Sequence, residues 1–130
     1  MFLDTSGLFA YHQADEAVHA KARSLFKQHQ QNITHSLILA EFVALTIARK
    51  LPRNSALAFL SAVIEHPRVE VIWIDRQSIL KAISFLETRL DKSYSLCDAV
   101  SFHLMSGRNL REALTTDHHF EQEGFVALLR

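Results

Sequence analysis

Met1-Phe2-Leu3-Asp4-Thr5-Ser6 opens the chain as a short buried strand that ends in a carboxylate and then a turn. Asp4 is the only charged residue before Asp15. In parallel α/β sheets the reactive groups lie just beyond the carboxyl ends of strands, where loops open a crevice and helix N-termini point inward. An isolated acid straight after two large apolar residues is therefore a candidate metal ligand or base. Asp4 or Thr5 equally suits the cap of a following helix, and the stretch alone does not separate the two roles.

Outward from this strand, helical and extended patterns alternate. Ala14 to His29 carries Val18, Ala22, Leu25 and Phe26 at helical spacing. Asn32 to His35 is a short extended piece, and Ser36 caps a predicted helix that runs to Lys50. Glu41 is the only charged residue between Ser36 and Arg49 and shares a face with Leu37, Ala40, Ala44 and Leu45. A carboxylate buried there needs a partner cation, for which a metal and a distant arginine both qualify. Pro52 starts the next helix through Ile64, and Val69-Glu70-Val71-Ile72-Trp73-Ile74 is the clearest strand, rich in β-branched residues. Asp75 is placed to cap a helix from Arg76 to Leu90. Ser95-Leu96-Cys97-Asp98 has the Ser-x-x-acid form of a capping box and begins an apolar helix that Gly107 ends. Ala113-Leu114-Thr115 resumes a strand, with Thr116-Asp117 at its carboxyl end, and Phe125 to Leu129 forms the last one. This alternation predicts an α/β fold with a mostly parallel sheet covered on both faces.

The 130 residues suit one domain, 48% of them hydrophobic and 22% charged, as in an ordinary globular protein. Fourteen basic residues balance fourteen acidic ones, which argues against holding nucleic acid by bulk charge alone. The single Cys97 excludes an intramolecular disulfide, and no Cys/His pair has zinc-finger spacing. No signal peptide is recognisable and charges interrupt every apolar run, so the expectation is a cytoplasmic protein with no membrane association.

Asp4, Glu41, Asp98 and Asp117 each lie at a strand end or near the start of the helix that follows one. An alternating fold can bring all four to one edge of the sheet. At an effective dielectric near 20, two carboxylates about 4 Å apart repel by around 4 kcal/mol, so such a cluster needs cations. All-oxygen ligation selects hard ions, Mg²⁺ or Mn²⁺. Such an ion lowers the pKa of bound water and neutralises charge on a phosphate in line for displacement, which points to phosphodiester hydrolysis.

These residues carry a resemblance. Phe2-Leu3-Asp4-Thr5-Ser6, Glu41, Tyr94 to Ala99 and above all Ala113-Leu114-Thr115-Thr116-Asp117-His118-His119-Phe120-Glu121-Gln122-Glu123-Gly124-Phe125 resemble a PIN domain, close to the VapC toxin ribonucleases. The resemblance covers essentially the whole of residues 1–130. It implies a three-layer α/β/α sandwich with a parallel sheet of about five strands, and Mg²⁺- or Mn²⁺-dependent endonucleolytic cleavage of RNA. It also implies a cognate antitoxin, with the toxin as a homodimer or in a larger toxin–antitoxin assembly. Asp4, Glu41, Asp98 and Asp117 match the acids that hold metal directly or through water, and Thr5, Ser6 and Thr115 match the hydroxyl positions that support them. Some members carry another acid two residues beyond the last, where this chain has His119, leaving one metal or two both open. His118 and His119 are expected as exposed loop residues, passive or in contact with RNA, and Arg89 and Lys92 as candidates to meet phosphate. The apolar helices between Ser36 and Ile64 are expected to offer a surface to an antitoxin or a second copy.

A PIN nuclease that works in RNA processing without an antitoxin is the nearest alternative, and a fold kept for binding without catalysis is another. A phosphoacceptor receiver domain also clusters acids around Mg²⁺ but needs a lysine after its last strand. Here the only basic residue beyond Arg111 is Arg130.

Overall fold

The computed structural model describes residues 1–130. The elements run β1 (Phe2–Leu3), α1 (Thr5–His12), α2 (His19–Gln28), β2 (Asn32–His35), α3 (Ser36–Ala48), α4 (Arg53–Glu65), β3 (Val69–Ile72), α5 (Arg76–Glu87), α6 (Leu96–Gly107), β4 (Glu112–Leu114), α7 (His118–Gln122) and β5 (Val126–Ala127). The five strands form one sheet in the order β3-β2-β1-β4-β5, every pair parallel.

That order decides where a site can form. The chain starts mid-sheet, steps outward to β2 and β3, then returns to lay β4 against the other side of β1. Right-handed crossovers in opposite directions put α1 to α4 on one face and α5 to α7 on the other, giving three layers. The helix contacts follow this division, with α1 against α2 and α3, α3 against α4, and α5 against α6. Between β1 and β4 the flanking loops diverge to opposite faces, leaving a crevice beyond the strand ends. Phe2, Leu3, Ala113 and Leu114 of these two strands are fully buried, as are Ile38, Phe42, Phe102, Met105 and Phe120 from the helices above and below.

The alternation and the parallel sheet agree with the sequence. The strands are shorter than the apolar runs suggested: Val69 to Ile74 narrows to Val69–Ile72, and Phe125 to Leu129 to Val126–Ala127. The turn expected after Asp4 is instead a helix, α1. Its residues Thr5, Gly7, Leu8, Phe9 and Ala10 are all buried, so it lacks the one-sided apolar stripe by which a surface helix announces itself. The helix expected from Ala14 begins only at His19, whose Nδ1 lies 2.9 Å from the Ala10 carbonyl oxygen across the turn. No helix is long and apolar enough to cross a membrane.

Gly7 sets how closely α1 approaches β4. A Cβ at this position would lie 1.8 Å from the Leu114 carbonyl oxygen and 2.6 Å from its carbon, both backbone atoms. Gly7→Ala must therefore lift α1 from the sheet and widen the gap between Asp4 and Thr115. We expect it to cost at least about 1–3 kcal/mol in unfolding free energy, measured by urea denaturation against wild type. An unchanged midpoint would show that the helix can slide without loss.

Candidate active site

The three aspartates that sequence spacing singled out sit at helix starts. Asp4 is the N-cap of α1, with Oδ2 accepting from the Ser6 amide at 3.3 Å. Asp98 closes a capping box with Ser95: its Oδ2 accepts from the Ser95 amide at 2.8 Å while its own amide donates to Ser95 Oγ at 3.0 Å. Asp117 is the N-cap of α7, its Oδ1 accepting from the His119 amide at 2.9 Å. The capping role and the site role therefore coincide in the same side chains. Positive helix ends favour carboxylates at such positions. Asp75 also caps a helix, through Ser78 at 2.8 Å, but it lies outside the group.

Asp4, Glu41, Asp98 and Asp117 line one pocket of about 180 Å³ together with Thr5, Ser6 and Leu45. Asp4 is its buried floor. Thr115 Oγ1 donates to Asp4 Oδ2 at 2.7 Å and Ser6 Oγ donates to the same oxygen at 2.9 Å. These hydroxyls are themselves oriented, Thr115 by the Asp117 amide at 3.0 Å and Ser6 by the Thr116 amide at 2.9 Å. Because each hydroxyl has a single proton and both give it to Asp4, their mutual 3.0 Å contact carries none. Burial pushes the Asp4 carboxyl up to about 6, against the hydroxyl hydrogen bonds that pull it down. Burial also raises the Asp98 carboxyl, with Asp117 adding to it and the Ser95 cap opposing.

Glu41 departs from its expected setting. It is exposed rather than buried on an apolar face, and no arginine pairs with it. Its turn of α3 points it into the mouth of the pocket, where Thr5 Oγ1 donates to Oε2 at 2.6 Å. Burial and the nearby Glu41 carboxylate hold the Cys97 thiol well above its usual range, so it stays protonated. Arg89, expected near phosphate, is committed to Glu123 at 2.9 Å, and Lys92 lies 3.9 Å from Asp91. His119 is the residue that sequence reasoning undervalued. It is on α7, its side chain is 15% exposed, and its Nδ1 lies 3.3 Å from Asp98 Oδ2 and 3.4 Å from Asp117 Oδ2. The available signal was its position two residues after Asp117, beside an acid already singled out.

The donor set fits a hard divalent ion. Asp4, Glu41 and Asp98 take their hydroxyl and amide hydrogen bonds on Oδ2, Oε2 and Oδ2, and no lysine or arginine pairs with any of the four acids. Clustered carboxylate oxygens with no resident cation are what Mg²⁺ or Mn²⁺ binds.

Comparison with known proteins shows the family and the fold. The family described as PIN domain matches residues 1–125. Among solved structures, the chain is similar to the Mycobacterium tuberculosis toxin VapC20, described as cleaving the sarcin-ricin loop. The TM-score is 0.86 at 27% identity, over 96% of this chain and 95% of that one. No curated protein sequence matches.

Two buried groups near the strand ends titrate in opposition. His35, at the end of β2, is fully buried. Ser101 Oγ gives its proton to the Cys97 carbonyl at 2.9 Å, so His35 Nε2 must donate to Ser101 at 2.9 Å, and Nδ1 is left without a partner. Burial lowers His35 to about 4. Asp4, raised from 3.8 to about 6, favours folding below its ordinary pKa and ceases to as pH rises through the folded value. His35, lowered from 6.5, favours folding above its ordinary pKa and ceases to as pH falls to about 4. Each is worth about 3 kcal/mol, so in the metal-free chain they largely cancel. Relative to wild type, Asp4→Asn should gain stability as pH rises from about 4 to 7, and His35→Gln as pH falls over that range. Urea denaturation with EDTA across that interval reads both, and variant curves parallel to wild type would refute the assignment.

Proposed function

The chain belongs to the PIN domain family, and from that premise we propose that residues 1–130 form one metal-dependent endoribonuclease domain, the toxin of a VapBC-type toxin–antitoxin pair. The single observation that carries this reading is the convergence of Asp4, Glu41, Asp98 and Asp117 on one pocket with no lysine or arginine among its lining residues. Likeness to a toxin that cuts a ribosomal RNA loop supports RNA as the substrate and makes a structured RNA loop the first target to test. An RNA target and an antitoxin would both be met in the cytoplasm.

When bound, Mg²⁺ or Mn²⁺ supplies an acidified water and neutralises charge on the phosphate under attack. The chain's own residues supply the rest. Asp4, fixed by Thr115 and Ser6, presents Oδ1 from the buried floor. Glu41, turned by Thr5, presents Oε1 from the opposite helix, and Asp98, locked by Ser95, presents its own Oδ1. These are the oxygens that would hold the ion or its waters. Without the ion the same carboxylates would repel a phosphodiester, so RNA would bind productively only with the ion in place.

Ile47, Leu57 and Ile64 on α3 and α4 are exposed, at 55%, 45% and 38%, which supports an antitoxin or a second copy of the chain on these helices. Co-expression with the gene product encoded alongside should give a complex that co-purifies and blocks cleavage. A monomer that no neighbouring gene product retains would count against the toxin assignment while leaving the nuclease.

Purified chain incubated with ribosomal RNA should cut it in Mg²⁺ or Mn²⁺ and not in EDTA. Glu41→Gln and Asp98→Asn should each lower the rate by about 100-fold or more while folding normally. Wild-type cutting by either variant would remove that acid from the site, and cutting undiminished in EDTA would overturn the metal mechanism.

A further inference from the structure

His119 lies between two of the four acids, and its environment fixes which nitrogen carries a proton. Nδ1 is 3.3 Å from Asp98 Oδ2 and 3.4 Å from Asp117 Oδ2, both acceptors only. A bare Nδ1 would set its lone pair against two carboxylates, so Nδ1 carries the hydrogen and donates it to Asp98 Oδ2, with Asp117 Oδ2 beside it. Nε2 faces Ser93 Oγ at 3.1 Å, and that hydroxyl can donate to it. The ring is held in place from other directions as well. Tyr94 meets it edge-on at 5.2 Å and 71°, and Tyr94 is anchored by its hydroxyl, which donates to Glu123 at 3.0 Å, with Arg89 securing Glu123 at 2.9 Å. The His119 amide closes the cap on Asp117 Oδ1 at 2.9 Å.

Asp98 and Asp117 line the same pocket, and an ion held by both would need the space that His119 Nδ1 faces. We propose that His119 is a positioning residue whose Nδ1–H occupies the space between Asp98 and Asp117, holding them together and limiting the site to one divalent ion. The inference rests on the metal-dependent reading above and adds a stoichiometry to it. The charge arithmetic favours it, because a neutral N–H donor offsets the repulsion of this pair without adding the acid that would demand another cation. Asp117, His118 and His119 could alternatively serve as ligands themselves, since their donor atoms lie within 4.8 Å of one another. His118 is 55% exposed and 3.4 Å from Asp117 Oδ1, and nothing buried fixes it.

Calorimetric titration with Mn²⁺ and electron paramagnetic resonance of the bound ion test this without reference to activity. Wild type should take up one ion, with no imidazole nitrogen coupled to it. His119→Asn, whose amide N–H reaches where Nδ1–H stands, should keep one ion at near wild-type affinity. His119→Ala should weaken that ion by about 10- to 100-fold. His119→Asp should take up two. A wild type that binds two ions, a nitrogen coupling in its spectrum, or an H119D chain that still binds one overturns the proposal, even if RNA is cut. Conversely, one ion in wild type and two in H119D sustain it, even if no RNA is cut.

Discussion

The structure depends on seating a carboxylate where water scarcely reaches. Asp4 is 6% exposed, and burial works against its charge. Two hydroxyl protons converge on Oδ2, one from Ser6 in α1 and one from Thr115 just past β4. They link the start of the chain to a residue 111 positions away, so Asp4 can hold its place only after β4 has docked beside β1. Folding and assembly of the site are thus one event. The reversal of strand order at β1 and β4 supplies the crevice, and the absence of a side chain at Gly7 lets α1 approach near enough for Ser6 and Thr115 to share one oxygen.

Much of this was legible because the strands are punctuated by their acids. Asp4 and Asp117 follow apolar runs, Asp98 completes a local capping pattern, and each is visible within a window of four to six residues. Capping and a place in the site looked like competing explanations in the sequence, yet the same side chains cap helices and line the pocket. The elements that escaped are those whose signal is not local. Helix α1 is buried on most sides and so shows no amphipathic period, and α7 is five residues long.

Glu41 and His119 show the two ways single-residue reasoning failed. Glu41 stands among apolar residues in sequence, which suggested burial, but Leu37, Ala40, Ala44 and Leu45 are themselves exposed or half-buried at this rim of α3. The apolar face of α3 that does reach the core is Ile38, Leu39 and Phe42. His119 was taken as an exposed loop residue because neither Ser93, Tyr94 nor Asp98 is near it in the chain. Its surroundings exist only once α6 and α7 pack, a tertiary fact that no window of sequence contains.

The four acids share a division of labour at the level of single atoms. Asp4, Glu41 and Asp98 each commit one oxygen to hydroxyl or amide donors of the protein, through Thr115 and Ser6, through Thr5, and through Ser95. The committed oxygen fixes the torsion of the carboxylate, and the other then points where the fold requires with little left to reorganise. Asp117 differs, because the His119 amide takes Oδ1 while the His119 ring stands 3.4 Å from Oδ2. It is also more exposed than Asp98, at 31% against 14%. The cluster is therefore not four equivalent ligands. Three acids are held through one oxygen by hydroxyl or amide donors, and the fourth is capped by the amide of the residue whose ring stands beside it, an asymmetry that follows from hydrogen bonding alone.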